Sequence, residues 1–139
     1  MATVKLEVIT PSKKFYSGEV ELVIVRTLTG DEGFMAGHAW ACKLLDVDAM
    51  WIREPESKEF RVAAIVGGYI DVKDTIIIYT DAAEWQEDID KERAKALKEE
   101  VEKWLKEEDE KDPYEIARAQ IALSKAISRM KIADSGKRR

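Results

Sequence analysis

The sequence contains very few of the residues from which metal, disulfide and catalytic sites are built. Cys42 is the only cysteine and His38 the only histidine among 139 residues. A single cysteine excludes an internal disulfide and a zinc site made of cysteines. His38 has no second histidine to share a metal and no evident serine or cysteine partner. We therefore expect no catalytic residues, no metal site, and a structural or interfacial role for His38.

Long hydrophobic runs and concentrated positive charge are also missing. No apolar run approaches the roughly 20 residues of a membrane-spanning helix. The strand pattern begins at Val4 without the apolar stretch of a signal peptide, so any membrane role should be indirect. The net charge of -5 argues against nucleic acid as a partner, because phosphate binding needs concentrated positive charge. A hydrophobic content of 45% indicates a folded core rather than a disordered chain.

Up to about residue 84 the sequence has the short, glycine-interrupted apolar runs of β-strands. Residues 4–9 alternate apolar and polar side chains, as a half-buried strand does. Further strands are predicted at residues 20–25, 50–52, 60–66, 69–72 and 75–79. Strands of this length and spacing favour an antiparallel sandwich or flattened barrel. Gly67 and Gly68 predict a bulge or bend where a side chain will not fit.

Segment 30–38 carries three glycines within eight positions, which predicts a loop with backbone angles that other residues avoid. It is not a phosphate loop, because no Gly-Lys-Ser/Thr follows. Asp31 and Glu32 make its tip acidic, and Phe34 and Met35 form an apolar shoulder. Two interpretations stay open, a loop that contacts another protein or a strand-connecting turn with solvated charges.

The second part of the sequence changes to highly charged, helix-forming segments. Residues 88–108 contain no glycine or proline. Asp112 can cap a second helix, and Pro113 suits its first position. The short connection makes the two helices antiparallel neighbours. The predicted fold class is α+β, with an N-terminal antiparallel β-sandwich (flattened barrel) in residues 1–87 and a two-helix antiparallel hairpin in residues 88–139.

Each predicted helix carries apolar residues at helical spacing. In the first helix these are Leu97, Val101, Trp104 and Leu105. In the second they are Ile116, Leu123, Ile127 and Met130, flanked by Ala119 and Ala126. The alanines permit the close approach of a partner helix.

Two groups of charged residues are placed by the helical angle of about 100° per residue. Asp90 and Arg93 fall in line with the apolar stripe of the first helix, so they must pair with each other or with a ligand if they are buried. An exposed i, i+3 ion pair is the alternative. Arg118, Lys125 and Arg129 fall on one face of the second helix, away from its apolar residues. This face is either simply solvated or a basic arm that docks on an acidic surface.

Several short motifs, in this order, resemble the epsilon subunit of F-type ATP synthase. They lie at residues 30–33, 37–39, 66–69, 80–83, 89–94 and 117–119, and the resemblance covers essentially the whole chain. It implies a non-catalytic rotor subunit that couples ion translocation to ATP synthesis and inhibits ATP hydrolysis. The expected location is the cytoplasmic face of a bacterial membrane, bound within the complex, with a chloroplast thylakoid as the second choice.

The resemblance also implies partners and the residues that contact them. The sandwich would bind the gamma subunit and the c-subunit ring, with Asp31 and Glu32 facing the ring and His38 near the stalk contact. The hairpin would fold against the sandwich or extend toward the catalytic head. When it is extended, Arg118, Lys125 and Arg129 would meet acidic segments of the catalytic alpha and beta subunits and block rotation in the hydrolysis direction.

Some bacterial epsilon subunits bind ATP on the folded hairpin, and this chain matches most of their motif. The matching residues are Glu84, Ile89, Asp90, Arg93, Ala94 and Arg129. Glu100 and Lys125 stand where that pattern has arginines, and Glu100 would repel phosphate. We therefore expect no required cofactor and, at most, weak regulatory binding of ATP with magnesium. A free-standing ATP-sensing module is the alternative function, and an enzyme is disfavoured.

Overall fold

Ten strands are followed by two long helices in the computed structural model, which describes residues 2–107 and 111–134. The strands are β1 (Val4–Ile9), β2 (Lys14–Val20), β3 (Leu22–Thr27), β4 (Gly30–Phe34), β5 (Ala41–Leu44), β6 (Val47–Arg53), β7 (Arg61–Val66), β8 (Tyr69–Val72), β9 (Thr75–Tyr79) and β10 (Ala83–Trp85). A 3₁₀ turn, Gln86–Asp88, leads to α1 (Lys91–Lys106) and α2 (Pro113–Asp134). Residue 1 and residues 108–110 and 135–139 of the predicted domains lie outside the described residues.

The strands form two five-stranded sheets that pack face to face. The first sheet has the order β2-β1-β9-β8-β5, and the second has the order β10-β7-β6-β3-β4. Neighbouring strands run antiparallel, except for the parallel pair of β1 and β9, in which Leu6 lies opposite Ile76. The predicted sandwich followed by a helical hairpin is therefore confirmed, with one parallel pair inside it.

The sandwich core lies between the two sheets and is supplied by alternate residues of the strands. Its fully buried side chains include Leu6, Val8, Val23, Val25, Phe34, Met50, Ile52, Ile70 and Ile76. Alternation arises because successive side chains of a strand point to opposite faces of the sheet. Strand β7 departs from this pattern, since all four residues from Val62 to Ile65 are buried. Both faces of β7 are covered, one by the opposite sheet and the other by α2.

The apolar run 20–25, predicted as one strand, is divided at Glu21 between β2 and β3. The chain passes there from the first sheet to the second. Glu21 is only 8% exposed; its carboxylate accepts a hydrogen bond from the Glu56 amide and lies 3.6 Å from Arg53 Nε. Hydrophobic pattern alone could not show this corner, because it depends on a charge paired across more than 30 residues.

The predicted loop 30–38 was wrong for its first half, which is strand β4. Gly30 has a φ of +121° and makes the turn into the strand. Asp31 then lies opposite Arg26 of β3, with 3.7 Å between Oδ1 and Nη1. Its neighbour Glu32 forms an ion pair with Lys43. Charged residues are accepted in this edge strand because both are compensated, Asp31 by Arg26 across the strand pair and Glu32 by Lys43 of β5 in the other sheet.

The predicted bend at Gly67 and Gly68 is confirmed, with φ values of +63° and +96°. A β-carbon on Gly68 would lie 1.8 Å from the carbonyl oxygen of Tyr79, an impossible contact. Only glycine fits this close approach of two backbones.

The helices form an antiparallel hairpin, because the start of α1 meets the end of α2. Lys91 Nζ lies 2.6 Å from Asp134 Oδ1. The buried residues differ from the predicted stripes: Ile127 remains 44% exposed and Leu97 38% exposed. Helix α2 packs against both α1 and the sandwich, and small side chains lie at the closest contacts because they let the elements approach each other. The helical residues that are buried are Ala94, Ala126 and Ile132.

Candidate functional site

The hairpin docks on the outer face of the second sheet through a small apolar interface. Ala49 of β6 and Val62 and Ala64 of β7 point away from the sandwich core and are covered by Ile132 of α2. Ile132 is only 2% exposed. The alanines let the helix approach the sheet closely. We call these four residues the docking interface.

A hydrogen bond from the turn before α1 reinforces this interface. Gln86 Nε2 donates to the Ile132 carbonyl oxygen over 2.7 Å. This carbonyl lies in the last turn of α2, where helix carbonyls have no partner within the helix. The segment that joins the sandwich to the hairpin therefore also holds the end of α2.

An ion pair joins the sandwich to the middle of α2. Arg129 Nε donates a hydrogen bond to Glu84 Oε1 over 2.9 Å, and Nη2 lies 2.7 Å from the same oxygen. The two side chains are 30% and 33% exposed. Partial burial, a charge-assisted hydrogen bond and a second nitrogen close to the same oxygen make this a stronger contact than a typical surface ion pair.

Between the sandwich and the distal part of the hairpin lies an open groove of about 880 Å³. Its apolar wall is formed mainly by Phe15, Val66, Trp85, Leu97 and Ile121. Its cationic residues are Lys13, Arg118, Lys125 and Arg129, and its carboxylates are Glu84 and Asp88. Positive charge therefore exceeds negative charge in the groove by two. The arrangement suits an anionic group, either one supplied by the protein itself or one from outside.

Trp85, the last residue of the sandwich, is held on both sides. Its ring centroid lies 4.6 Å from that of Phe15, and the Arg61 guanidinium carbon lies 3.9 Å from its indole ring. Arg61 also approaches Glu54 at 3.5 Å, and Glu54 accepts a hydrogen bond from the Tyr16 hydroxyl at 3.1 Å. Burial, with the Glu54 charge, raises the pKa of Tyr16 to about 12. Stacking and cation–π contacts fix the point from which the hairpin departs.

Sequence reasoning missed Trp85 and Arg61. A tryptophan directly before a charged helical segment was an available signal. The pairing with Arg61 was not, because it depends on β10 lying beside β7.

Two of the six residues of the nucleotide motif line the groove. Glu84 and Arg129 form the ion pair on the groove wall. Ile89 packs against the docking interface, and Ala94 is fully buried. Asp90 and Arg93 are exposed and lie outside the groove lining.

The predicted inward position of Asp90 and Arg93 was therefore wrong. Asp90 is the N-cap of α1, and its Oδ1 accepts a hydrogen bond from the Arg93 amide at 3.0 Å. Its backbone is extended, with φ -82° and ψ 96°, so the helical angle per residue does not apply to it. The carboxylate satisfies a free amide of the first turn instead of turning toward the sandwich. Glu100 is also exposed and lies outside the groove lining.

The three basic residues predicted to share a face of α2 all line the groove. Arg118 is exposed and lies over the Tyr114 ring at 5.9 Å, Lys125 is half-buried, and Arg129 is paired with Glu84. This face is therefore turned toward the sandwich rather than simply toward solvent.

The remaining predicted contact residues lie on β4 and in the segment that follows it. Strand β4 is the edge of the second sheet opposite β10, from which the hairpin departs. Glu32 pairs with Lys43 and accepts a hydrogen bond from the Thr27 hydroxyl at 2.5 Å. The hydrogen bond from Lys43, followed by that from Thr27, lowers the pKa of the Glu32 carboxyl. His38 is exposed; its Nδ1 lies 2.6 Å from the Ala39 carbonyl oxygen. Its ring contacts the Phe34 ring at 4.8 Å between centroids.

Exposed apolar side chains occur in the same part of the sandwich, and sequence reasoning did not single them out as a group. They are Leu28, Met35, Trp40 and Leu44, which are between 43% and 71% exposed. Apolar side chains at this density are a common feature of protein contact surfaces.

Neither a metal centre nor a membrane span is found in the described residues. Residues 2–107 and 111–134 contain no group of three or more His, Cys, Asp or Glu residues that could hold a metal ion. None of the helices among them is long and apolar enough to cross a membrane.

Two family models match the chain. The beta-sandwich domain of the ATP synthase delta/epsilon chain matches residues 3–86, and its long alpha-helix domain matches residues 87–134. Among curated relatives, the ATP synthase epsilon chain of Caldicellulosiruptor bescii is 38% identical over 99% of this chain and 98% of its own length. That of Alkaliphilus metalliredigens is 42% identical over 91% of this chain and 92% of its own.

Solved structures share the fold at lower identity. A chain of the Euglena gracilis mitochondrial ATP synthase superimposes with a TM-score of 0.78 at 23% identity, covering 92% of this chain and 79% of its own length. A chain from the central stalk and c-ring structure of the Tetrahymena thermophila mitochondrial ATP synthase gives 0.61 at 15% identity, covering 95% and 97%. The matches confirm the resemblance stated from the sequence motifs. This chain belongs to the ATP synthase delta/epsilon chain family.

Proposed function

We propose that the chain is a rotor subunit that couples ion translocation to ATP synthesis and restrains ATP hydrolysis by moving its helical hairpin. The observation that carries this proposal is the separation of the two buried clusters. The large core is made entirely of residues between Val4 and Trp85. The docking interface receives one buried side chain, Ile132, from the helices. The sandwich can therefore remain folded when the hairpin leaves it.

The free energy that holds the hairpin on the sandwich is small enough for the binding of a partner to overcome it. Burying one isoleucine side chain contributes about 1.5–3 kcal/mol, and the Glu84–Arg129 pair adds about 1 kcal/mol. A partner that binds only the undocked hairpin can supply a difference of this size. Two positions of the arm are thus energetically reasonable.

The proposed partners of the sandwich are the gamma subunit and the c-subunit ring. The exposed residues Leu28, Met35, Trp40 and Leu44 support a protein contact at this part of the sandwich. His38 lies in the same stretch. Because Asp31 and Glu32 already have ion-pair partners, they would act in the ring contact as paired rather than free carboxylates.

The proposed partners of the undocked hairpin are acidic segments of the catalytic alpha and beta subunits. Arg118, Lys125 and Arg129 share one face of α2, which supports an electrostatic contact. In the docked hairpin this face is turned into the groove, so docking and partner binding exclude each other. The bacterial relatives support a place at the cytoplasmic face of a bacterial membrane, through the complex.

Truncation tests the restraint of hydrolysis. ATP synthase reconstituted with the chain ending at Glu87 should assemble and hydrolyse ATP faster than the complex with the full chain. A second variant tests the basic face alone. The full chain with Arg118→Gln, Lys125→Gln and Arg129→Gln should give a similar rise in hydrolysis if this face makes the contact. Unchanged hydrolysis after truncation would contradict the restraint and leave the coupling role standing.

A regulatory nucleotide is the second candidate, as part of the synthase or in a free-standing ATP sensor. The groove favours it, because apolar and cationic walls lie beside the Glu84–Arg129 pair. Titration of the chain with ATP and magnesium should shift the backbone amides around Trp85 and Arg129, whereas adenosine, which lacks phosphates, should shift them less. Absence of any shift at millimolar ATP would remove this candidate.

A further inference from the structure

The Glu84–Arg129 pair is placed where it can decide whether the hairpin stays docked. Glu84 belongs to β10 of the sandwich and Arg129 to α2 of the hairpin. By contrast, the Lys91–Asp134 pair joins α1 to α2 and lies within the hairpin. Undocking the hairpin as a unit breaks the first pair and leaves the second intact.

The charges around Glu84 make its carboxylate necessary for docking of the hairpin. Four cationic side chains line the groove, and Lys13 approaches from the sandwich while the other three project from α2. Asp88 is the other carboxylate of this lining. Without the charge of Glu84, Lys13 and the three cations of α2 would face each other with one carboxylate between them. Repulsion between like charges that line the same groove opposes docking.

Glu84 binds the guanidinium of Arg129 with a carboxylate, the same group that an acidic partner would present. Arg129 Nε already donates to Glu84 Oε1, and Nη2 lies 2.7 Å from the same oxygen. A partner carboxylate can make these contacts with the guanidinium only after Glu84 has released it. The internal and external carboxylates therefore compete for one guanidinium.

We propose that Glu84 is an internal competitor of the acidic partner surface and holds the hairpin down by occupying Arg129. That this occupancy regulates the synthase rests on the proposed function; the latch itself is a property of the isolated chain. It follows that removing the carboxylate of Glu84 shifts the hairpin toward the undocked state. Raising the ionic strength should do the same, because a partly exposed ion pair is screened by salt.

The labelling rate of a buried thiol in the isolated full-length chain measures this equilibrium. Cys42→Ser removes the exposed native thiol. Ala49→Cys then places a thiol beneath Ile132, where it can react only when α2 lifts. Ala63→Cys, in the same Cys42→Ser background, reports opening of the sandwich itself, because Ala63 is fully buried in the large core.

Glu84→Gln should accelerate labelling at position 49 roughly three- to fivefold, as expected for a partly buried ion pair. Labelling at position 63 should not change. Lys91→Gln is the matched control, since it breaks an ion pair within the hairpin and should leave labelling at position 49 unchanged. Arg129→Gln should also accelerate labelling, but less than Glu84→Gln because it removes one of the groove cations, and the double variant should label no faster than Glu84→Gln alone.

Labelling at position 49 that is unaffected by Glu84→Gln, or effects of Glu84→Gln and Arg129→Gln that simply multiply, would overturn the latch. Equal acceleration at positions 49 and 63 would also overturn it, because the variant would then act on the whole fold. The synthase gives a separate readout, since Glu84→Gln should strengthen the restraint of hydrolysis. Faster labelling without a change in hydrolysis would keep the latch and contradict the proposed function.

Discussion

The sandwich and the hairpin bury apolar surface in very different amounts. Inside the sandwich, large side chains such as Leu6, Phe34 and Ile76 are completely inaccessible to solvent. In the hairpin, α1 contributes one buried alanine and α2 contributes Ala126 and Ile132. The sandwich therefore holds itself together, whereas the hairpin depends on a small contact and on ion pairs. A stable platform with a weakly held arm is what movement of the arm requires.

Gly68→Ala tests the strength of the platform and should have the largest effect. The new β-carbon would lie 1.8 Å from the Tyr79 carbonyl oxygen, so β8 and β9 would have to separate. We expect the free energy of unfolding to fall by about 3 kcal/mol or more. Denaturant unfolding followed by tryptophan fluorescence measures it.

Gly30→Ala is the matched control for this substitution. Gly30 also has a positive φ, of +121°, but a β-carbon there meets nothing within 4 Å. The loss should therefore be limited to backbone strain, about 1 kcal/mol. Equal losses at the two positions would contradict the close approach at Gly68.

Ile132→Ala tests the arm and should separate the two regions. Its side chain fills the docking interface, so we expect docking to weaken by about 2–3 kcal/mol. Hydrogen exchange should become faster in α2, while the amides of β1 keep their protection. Ile127→Ala is the control, because Ile127 is 44% exposed and its loss should change exchange little. Faster exchange in β1 would show that the two regions unfold together.

Acidification should weaken the sandwich through Glu32. The hydrogen bond from Lys43 holds the pKa of Glu32 below its ordinary value of 4.5. A carboxyl whose pKa is lower in the folded state stabilises the fold above about pH 4.5, and this contribution disappears as the pH falls through the folded pKa. Glu32→Gln should therefore cost stability at neutral pH and progressively less as the pH falls below 4.5, by denaturant midpoints. Glu19→Gln, at an exposed position of β2, is the control and should cost less stability at neutral pH.

The strands found from the sequence were those with a strong apolar pattern, such as β1 with its alternation and β9 with its continuous apolar run. The strands that were missed are β2, except for its last residue, and β4, β5 and β10, which are short or contain glycine and charged residues. Their positions depend on neighbours in the sheet rather than on their own composition. The contact between Glu84 and Arg129 joins residues 45 positions apart, so spacing along the chain could not reveal it. The position of Asp90 was predicted wrongly because an N-cap residue has extended backbone angles, so the helical rotation of about 100° per residue does not apply to it.

Glu56→Gly should have the smallest effect and the opposite sign. Glu56 has a φ of +63°, a left-handed conformation that disfavours residues other than glycine. Its backbone amide donates to Glu21 at the corner between the two sheets, and glycine keeps that hydrogen bond. Relief of strain should exceed the added flexibility of the unfolded chain, giving a gain of about 0.5 kcal/mol in the free energy of unfolding. Lys58→Gly, two residues further along the same connection, should bring a small loss. A gain confined to position 56 would show that even the stable platform carries local strain where its chain changes sheets, whereas a loss there would mean that the Glu56 side chain itself supports the corner.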